Sequence, residues 1–444
     1  MIKDMTKGNP SNILWKFTIP LFFSIVFQQL YSIADSVIAG RFAGTSALAA
    51  VGASYPITMI YMAIATGFNI GCSVIISQLF GQKDYTNMKT AINTSLLATL
   101  ILSILLTIFG IITCNPFIRL LGTPENIFSN SALYLRIYIF GLLFLFLYNI
   151  CTGIFTALGD SKTPLVFLII SSIGNIILDL LFVIRFQMGV SGVAWATFIA
   201  QGFSSIMAIC VLLNRIRQIK TTDSPKVFST KMFKKICLIA IPSILQQSFV
   251  SVGNLFIQNL VNGFGSDVIA GYSAAIKLNT FTLTSIATIG NGLSSFSAQN
   301  IGAEKNERVR EGFRSGIKMA FCICLFFTVS YFVFRDFFIN IFLADGQANA
   351  LKAGTDFLKI VTPFYLFVGI KITSDAVIRG GGAMKEFMIA TFSDLILRVI
   401  LSYILVIPFE STGIWLSWPL GWLVGSLLSY SFYKKGVWIH TTKT

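Results

Sequence analysis

The sequence predicts an all-α polytopic membrane protein with 12 transmembrane helices in two like-oriented six-helix lobes. Of its 444 residues 55% are apolar and only 11% are charged, and the mean hydropathy is +0.78. Soluble chains carry charges at about a quarter of their positions, so this composition excludes the soluble class. About a dozen apolar stretches reach the roughly 20 residues that a helix needs to cross the hydrocarbon.

The spans are separated by short polar breaks. They are predicted over residues 13–39, 50–79, 91–114, 132–155, 164–186, 190–213, 235–262, 269–299, 313–341, 353–378, 386–407 and 411–433. The longest break, residues 214–234, is basic and lies at the middle of the chain. It is predicted to be a cytoplasmic linker between an N-terminal lobe, residues 1–213, and a C-terminal lobe, residues 235–444. The polar residues 1–12 precede no small-residue cleavage site, and we expect them to be retained.

The basic residues indicate the topology. Of the 33 Lys and Arg residues, 23 lie in or near one alternate set of breaks, which includes both termini, and only seven lie in or near the opposite set. By the positive-inside rule both termini are cytoplasmic and the number of spans is even. The net charge of +15 is therefore mostly topological, and we expect contact with a lipid bilayer and no binding of nucleic acid.

The sequence offers little for metal or nucleophilic chemistry. Its seven cysteines form no CxxC pair, and its only histidine is His440. Without a usable histidine there is no histidine-based triad or metal site. We expect no enzyme activity and no cofactor; a membrane-embedded enzyme is a competing class that turnover of a lipid substrate would support.

The two halves of the chain resemble each other at an offset of 221 positions. Eight identical pairs fall at this offset, and three of them repeat one Gly–Gln–Gly pattern: Gly71 and Gly292, Gln78 and Gln299, and Gly81 and Gly302. Six spans in each half place both halves in the membrane in the same direction. Transporters are built from parallel repeats of this kind.

Of the acids inside the predicted spans, Asp35, Asp179, Asp375 and Asp394 are the candidates, and two of these four have a local base. Lys371 precedes Asp375 by four positions and Arg398 follows Asp394 by four, a spacing that places both side chains of a pair on one helix face. We interpret these pairs as mainly structural, with substrate binding or gating as the alternative. Lys277 has no acid at this spacing and is a secondary candidate, either reaching the interface or pairing with another helix.

Asp35 and Asp179 have no such base. Both lie about six residues from the outer ends of their helices, and hence at a similar depth. An unpaired carboxylate in the membrane takes up a proton or is neutralised by a bound cation, and is a functional-site hypothesis by default. At the repeat offset the second half has Phe256 and Ile400 instead, so only the first half carries these acids.

Polar side chains accompany the two acids. Gln28 and Tyr31 share a face with Asp35, Asn175 lies one turn before Asp179, and Thr197 lies one turn before Gln201. These stripes either line water or join helices by hydrogen bonds. Pro20 removes one helix hydrogen bond, and is either a bending point or a proline tolerated near the start of a helix.

Several long segments resemble one known family. They are ADSVIAGRFAGTSALAAVG, SQLFGQKD, TALGDSKTP, NIILDLLFVI followed by GVSGVAWATFIAQG, and SAQNIGAEKNERVREG, in order across nearly the full chain. The sequence is similar to the multidrug and toxin extrusion (MATE) transporters, in particular the bacterial DinF-like efflux branch. The resemblance implies two lobes forming a V around a central cavity, and export of cationic amphiphilic compounds in exchange for H⁺ or Na⁺.

The resemblance also implies a cation site in the first lobe. The family's coupling residues fall on Asp35, Asn175, Asp179, Thr197 and Tyr134, with Tyr138 as the competitor for the tyrosine position, and its bending proline falls on Pro20. Na⁺, if it is the ion, would bind at the first four. The seventh-helix acid of another branch has no match here, which makes a second-lobe role for Asp375 doubtful.

We therefore predict a secondary antiporter for small organic cations and drugs. It is expected to act as a monomer in the bacterial inner or plasma membrane, with cavity or gating candidates at Gln28, Tyr31, Tyr138, Gln201 and Pro20. The alternative is a lipid-linked oligosaccharide flippase of the same superfamily. Such flippases tend to carry several cavity arginines, whereas only Arg398 lies well inside a span here.

Overall fold

The computed structural model describes residues 2–343 and 346–439, so His440 lies outside the described residues. Within these ranges the chain forms helices and turns and no β-strand. The apolar segments fold as helices because a backbone in hydrocarbon must satisfy its own hydrogen bonds. The prediction of an all-α polytopic membrane protein is confirmed.

The first half of the chain contains seven α-helices. They are α1 (Pro10–Phe42), α2 (Thr45–Gly81), α3 (Tyr85–Leu120), α4 (Glu125–Phe140), α5 (Leu142–Ala157), α6 (Lys162–Leu180) and α7 (Val190–Arg217). A π-helical turn, Leu181–Arg185, continues α6.

The second half contains seven more. They are α8 (Thr230–Asn262), α9 (Ser266–Gly302), α10 (Asn306–Val333), α11 (Arg335–Asn340), α12 (Ala348–Val361), α13 (Tyr365–Gly381) and α14 (Met384–Lys434). Short 3₁₀ turns, Thr362–Phe364 and Val437–Ile439, join α12 to α13 and follow α14.

The expected 12 spans can be accounted for in the described residues. Nine helices are long and apolar enough to cross a membrane, and α4 with α5 forms a tenth across a 47° bend. The 37-residue α9 is long enough to be a further span. The 51-residue α14 is divided by a break at Glu410 into two arms, which match the spans predicted over 386–407 and 411–433.

The spans predicted over 313–341 and 353–378 are interrupted, at Phe334 and at the 3₁₀ turn Thr362–Phe364. Two further departures lie in the first half of the chain. The fourth span was expected to be continuous over residues 132–155, but it is divided at Gly141 by the bend between α4 and α5. The fifth span was expected as a uniform helix over 164–186, but its last turn is π-helical. The apolar pattern of each stretch fits a straight helix equally well, so it could not predict either feature.

The chain folds into two compact units. Unit 1 consists of Met1–Asp4 with Ile19–Ile244, and unit 2 of Met5–Thr18 with Leu245–Thr444. Unit 1 therefore includes the first part of α8, and unit 2 includes the first part of α1. The core of unit 2 is rich in aromatic side chains, among them Tyr272, Phe357 and Trp415.

These two helix segments pack against aligned glycines of the repeat. In unit 1, a Cβ atom on Gly71 would lie 2.7 Å from Ala240 Cβ, and in unit 2 a Cβ on Gly292 would lie 2.8 Å from Thr18 Oγ1. Glycine allows helices to approach this closely. The repeated Gly71–Gly292 pair thus places the first part of α8 against α2 and the first part of α1 against α9.

Backbone conformation repeats at the same offset. Lys83 and Glu304 have positive φ values of 60° and 57°, and Gly189 and Glu410 have φ values of 56° and 51°. The ψ values of the second pair are −132° and −137°, a region that glycine occupies readily and other residues rarely. The second half therefore keeps the same turn, but with a non-glycine residue in a strained conformation. The Glu410 side chain is exposed.

Replacing Glu410 with Gly should stabilise the protein. The substitution removes strain of about 1–3 kcal/mol and adds a glycine entropy cost of about 0.5–1 kcal/mol, for a net gain of about 1 kcal/mol. Thermal unfolding of the purified protein in detergent measures the change. Glu410→Gln removes the same charge but keeps the strained backbone, so an equal gain in that variant would contradict the explanation.

Candidate functional site

Asp35 on α1 and Asp179 on α6 meet inside unit 1. Asp179 is completely buried and Asp35 is half-buried. Their carboxyl groups lie close enough to share a hydrogen bond. Within the described residues no hydrogen-bond partner reaches the enclosed Oδ1 atom of either acid. The pairing expected from their similar depth is therefore present in the structure.

Asn175 joins α6 to α7 beside this pair. In the orientation that satisfies both ends of its amide, the nitrogen donates to Asp179 Oδ2 at 2.6 Å, and the oxygen accepts from the Thr197 backbone N–H at 3.1 Å. The Asn175 side chain is only 2% exposed. The one-turn spacing of Asn175 and Asp179 along α6 makes the first contact possible, and it orients one carboxylate oxygen of Asp179.

Two tyrosines complete the surroundings of the acids. The Tyr31 hydroxyl lies within hydrogen-bonding reach of the Thr197 side chain and close to both carboxyl groups. Tyr134 on α4 is also close to Asp35 and Asp179. Tyr138 has Tyr61 as its polar neighbour instead. Of the two competing tyrosines, Tyr134 is the one that lies near the acids.

An apolar layer lies one turn beyond the acids along both helices. It consists of Ile38, Ala39, Val183 and Val193, and the ring of Tyr134 packs against it. Val183 belongs to the π-helical turn that begins two residues after Asp179. Such turns occur often at functional sites. Here the turn places an apolar side chain over the end of the site.

A cleft between α4 and α7 adjoins the acid pair. The cleft is small and open to its surroundings, and its lining residues are Tyr134, Ile137, Tyr138, Gly141, Ala194, Thr197, Phe198 and Gln201. The bend at Gly141 forms part of this wall. Tyr134 and Thr197 belong both to the cleft and to the surroundings of the acids, while Tyr138 and Gln201 lie only in the cleft.

The remaining candidates on α1 lie apart from these groups. Gln28 is exposed. The helix is continuous through Pro20, where the Ser24 hydroxyl donates to the Pro20 carbonyl at 2.9 Å. The unit boundary falls between Thr18 and Ile19, directly before this proline. Sequence reasoning placed Tyr31 in the cavity only, although its position one turn before Asp35 on the same face was a signal for the acid cluster.

The charged pairs of unit 2 differ from each other. Lys371 Nζ lies 2.8 Å from Asp375 Oδ2, as expected for a neutralised pair. The expected direct ion pair between Asp394 and Arg398 is wrong, because the Arg398 guanidinium lies over the Trp418 ring at 4.4 Å. A spacing of four residues on a helix permits an ion pair, but it does not show whether the base will contact an aromatic ring of another segment instead.

Lys277, the fifth charged residue of unit 2 that the sequence singled out, has an aromatic neighbour as well. Its Nζ atom lies 5.3 Å from the centre of the Phe342 ring, and the side chain is exposed. This position agrees with the first of the two alternatives expected for Lys277, a side chain that extends away from the core and does not pair with another helix.

Two carboxyl groups at hydrogen-bonding distance cannot both remain ionised and unneutralised. Either one proton is shared between them or a cation lies beside them. In the described residues no cluster of three or more His, Cys, Asp or Glu could hold a metal ion. The oxygen atoms of Asp35, Asp179, Asn175 and Thr197 suit a hard monovalent cation such as Na⁺, and the same acids suit H⁺.

One family model matches the chain twice. The model is MatE, and it covers residues 20–181 and 242–404. The chain belongs to the MatE family. MatE proteins are membrane transporters and not enzymes, which confirms the predicted family and the transport class. The two matches each cover one of the repeated halves.

Individual relatives agree with this assignment. The chain is 29% identical over 444 residues to the probable multidrug resistance protein YpnP of Bacillus subtilis, covering 98% of this chain and 97% of that protein. It is 24% identical over 332 residues to a FAD transporter of Shewanella oneidensis, covering 72% of each. An outward-facing multidrug resistance MATE family transporter of the MOP superfamily matches the fold with a TM-score of 0.91 at 22% identity, covering 99% of this chain and 98% of that chain.

The acid pair of this MatE protein should react with dicyclohexylcarbodiimide, which modifies protonated carboxyl groups in apolar surroundings. We expect label on Asp35 or Asp179, because their geometry requires a proton when no cation is bound. Labelling should decrease as the pH rises, since the protonated form is then lost. Peptide mass spectrometry of the labelled protein locates the modified residue.

Asp375 provides the internal control. It is buried, but its oxygens are held by Lys371 and Ser429, so it should stay unlabelled. Label on Asp375 with none on Asp35 and Asp179 would show that the shared proton is not where the geometry places it.

Proposed function

We propose that this MatE protein is a secondary active antiporter that exports cationic amphiphilic compounds in exchange for H⁺ or Na⁺. The observation that carries the proposal is the contact between Asp35 and Asp179. Their mutual repulsion is relieved only by a proton or a cation, so the occupancy of the site changes with the gradient. Family membership and the name of the Bacillus relative support export of drugs.

Coupling requires that the ion favour one conformation. A cation that binds one state more tightly shifts the population towards that state, and this difference in affinity is sufficient for coupling. The groups around the acids are amides and hydroxyls, which donate or accept hydrogen bonds. In the proposed mechanism Asn175, Thr197, Tyr31 and Tyr134 rearrange their hydrogen bonds when the acid pair gains or loses the ion.

The position of the cleft between α4 and α7 supports a structural connection between the ion-binding acids and the bound cargo. Tyr134 and Thr197 face both the cleft and the acids. A change at the acid pair is thereby passed to the walls of the cleft, where Tyr138 and Gln201 are candidate cargo contacts. Pro20 is the proposed bending point of α1, because it removes one backbone hydrogen bond next to the unit boundary.

The protein is proposed to work as a monomer in the bacterial cell membrane, with both termini in the cytoplasm. The distribution of basic residues along the sequence supports this topology. A second cargo class, aromatic compounds that carry anionic groups, is favoured by the relative named as a FAD transporter. Assays of ethidium and of FAD with the same proteoliposomes compare the two classes directly.

Asp35→Asn and Asp179→Asn should each lower ion-driven efflux of ethidium by about tenfold or more, as expected when a coupling free energy of about 1–3 kcal/mol is removed. Asparagine keeps the size of the side chain but takes up no proton and carries no charge for a cation. Efflux from proteoliposomes under an imposed gradient measures the loss.

Glu410→Gln is the matched control, since it neutralises an exposed acid on α14. It should leave efflux within about twofold of the unsubstituted protein, the range expected for a surface charge. Full ion-driven efflux by either of the two asparagine variants would exclude the proposed coupling site.

The coupling ion is identified by imposing one gradient at a time. Proteoliposomes with a pH gradient at equal Na⁺, and with a Na⁺ gradient at equal pH, are expected to support efflux in only one of the two cases. The active gradient should also protect Asp35 or Asp179 from carbodiimide if the ion is Na⁺, because the bound cation replaces the shared proton. Efflux that needs neither gradient would contradict antiport.

A further inference from the structure

The linker between the halves and the start of α8 carry a marked excess of positive charge. Residues 214–235 contain seven bases and a single acid, Asp223. Arg215 is held by Asp160 in an ion pair. Lys226, Lys231 and Lys234 are exposed, and among the described residues their side chains form no ion pair. Like charges in such a run repel one another, so these three lysines favour an anionic partner.

The end of the linker is fixed to α3 through its backbone. The Lys226 N–H donates to Thr90 Oγ1 and the Ser229 N–H donates to Thr94 Oγ1, each at 3.1 Å. The Asn93 amide nitrogen donates to the Lys226 carbonyl at 3.1 Å. These bonds use the main chain of the linker and not its side chains. Residues 226–229 are therefore held in one place, with their side chains available for other contacts.

The same bonds indicate the depth of this segment. Thr90 and Thr94 lie on either side of the point where the apolar span of α3 is predicted to begin, at residue 91. Both α3 and α8 are long and apolar enough to cross a membrane. Residues 226–229 thus lie where α3 enters the hydrocarbon, which is the level of the lipid headgroups.

Two apolar side chains of the linker are exposed at this level. Val227 is 74% exposed and Phe228 is 40% exposed. The Phe228 ring lies 5.8 Å from the Phe233 ring of α8, which positions it beside the start of that helix. Apolar side chains flanked by lysines are typical of segments that insert at the boundary between headgroups and acyl chains.

One face of α8 continues from bases to apolar residues. Lys231, Lys234, Leu238 and Ile241 follow at alternating spacings of three and four, which places them on one side of the helix. Leu238 is 71% exposed and Ile241 is 55% exposed. In a membrane the apolar part of this face contacts acyl chains. The two lysines at its start then lie beside the phosphates of the same lipids.

We propose that the end of the linker and the start of α8, residues 226–241, form a binding site for an anionic phospholipid. The three exposed lysines bind the phosphate, the Val227–Phe228 pair lies among the glycerol groups, and the exposed face of α8 contacts an acyl chain. A basic cluster next to a transmembrane helix suits anionic headgroups. A free phosphate would leave the apolar side chains uncovered, which favours a whole lipid. The site depends on neither the cargo nor the coupling ion.

Native mass spectrometry of the full-length protein in detergent tests the site. Phosphatidylglycerol and phosphatidylcholine with the same acyl chains are titrated separately, and the dissociation constant of the first bound lipid is measured. Lys231→Gln combined with Lys234→Gln should weaken phosphatidylglycerol by about tenfold or more, as expected when two bases beside an anionic lipid are lost. Phosphatidylcholine should change by less than about twofold. Phe228→Ser should weaken both lipids, because the contact is with a part that they share.

Lys434→Gln combined with Lys435→Gln is the matched control. It removes two exposed bases from the end of α14, in the same predicted set of breaks, and should leave phosphatidylglycerol within about twofold. An equal loss in both double variants would show attraction by net charge alone and would overturn the site. Unchanged phosphatidylglycerol binding after loss of Lys231 and Lys234 would do the same. Displacement of the lipid by inorganic phosphate would assign the lysines to a free anion instead.

Discussion

The closeness of two like charges in the interior of unit 1 determines what surrounds them. Asp35 and Asp179 are within hydrogen-bonding reach, and the complete burial of Asp179 limits how far water can screen their repulsion. Each neighbour is accordingly a group that tolerates either charge state. Asn175 donates to one acid and accepts from the backbone, and the tyrosine hydroxyls beside the acids can do either. Such surroundings accept a proton or a cation without a change of fold.

Unit 2 handles buried charge differently. Two bases and two acids lie together there, and Lys371 supplies Asp375 with a cation from the same helix. That carboxylate has no oxygen left for an external ion. In the same group, Arg398 Nε and Asp394 Oδ1 are enclosed without a hydrogen-bond partner among the described residues. The two halves of the chain thus differ in how their buried charged residues are paired.

Much of this arrangement follows from the sequence, for identifiable reasons. The length and composition of the apolar stretches are enough to predict the helices, and the polar break near Glu410 predicts the turn inside α14. Equal depth and the family resemblance together predict that Asp35 and Asp179 meet. The 47° bend at Gly141 and the π-helical turn after Asp179 depend on tertiary packing, which an apolar pattern does not record.

The same limit applies to charged neighbours. Lys371 with Asp375 and Asp394 with Arg398 have the same spacing along the chain, yet only the first forms an ion pair. The difference lies in Trp418, which is 20 residues beyond Arg398 in sequence and 4.4 Å from it in space. Spacing on one helix predicts which side chains can meet, and the partner from another helix decides whether they do.

The exchange of helix segments between the units has a consequence for biosynthesis. Residues 5–18 leave the ribosome well before their partners in unit 2, which follow nearly 300 positions later in the sequence. Met5 N–H donates to Gln299 Oε1 at 3.0 Å, and Arg308 Nη1 donates to the Gly8 carbonyl at 2.8 Å. Contacts over nearly 300 residues form late and slowly. Residues 5–18 can therefore make these contacts only after the end of α9 and the start of α10 have been synthesised.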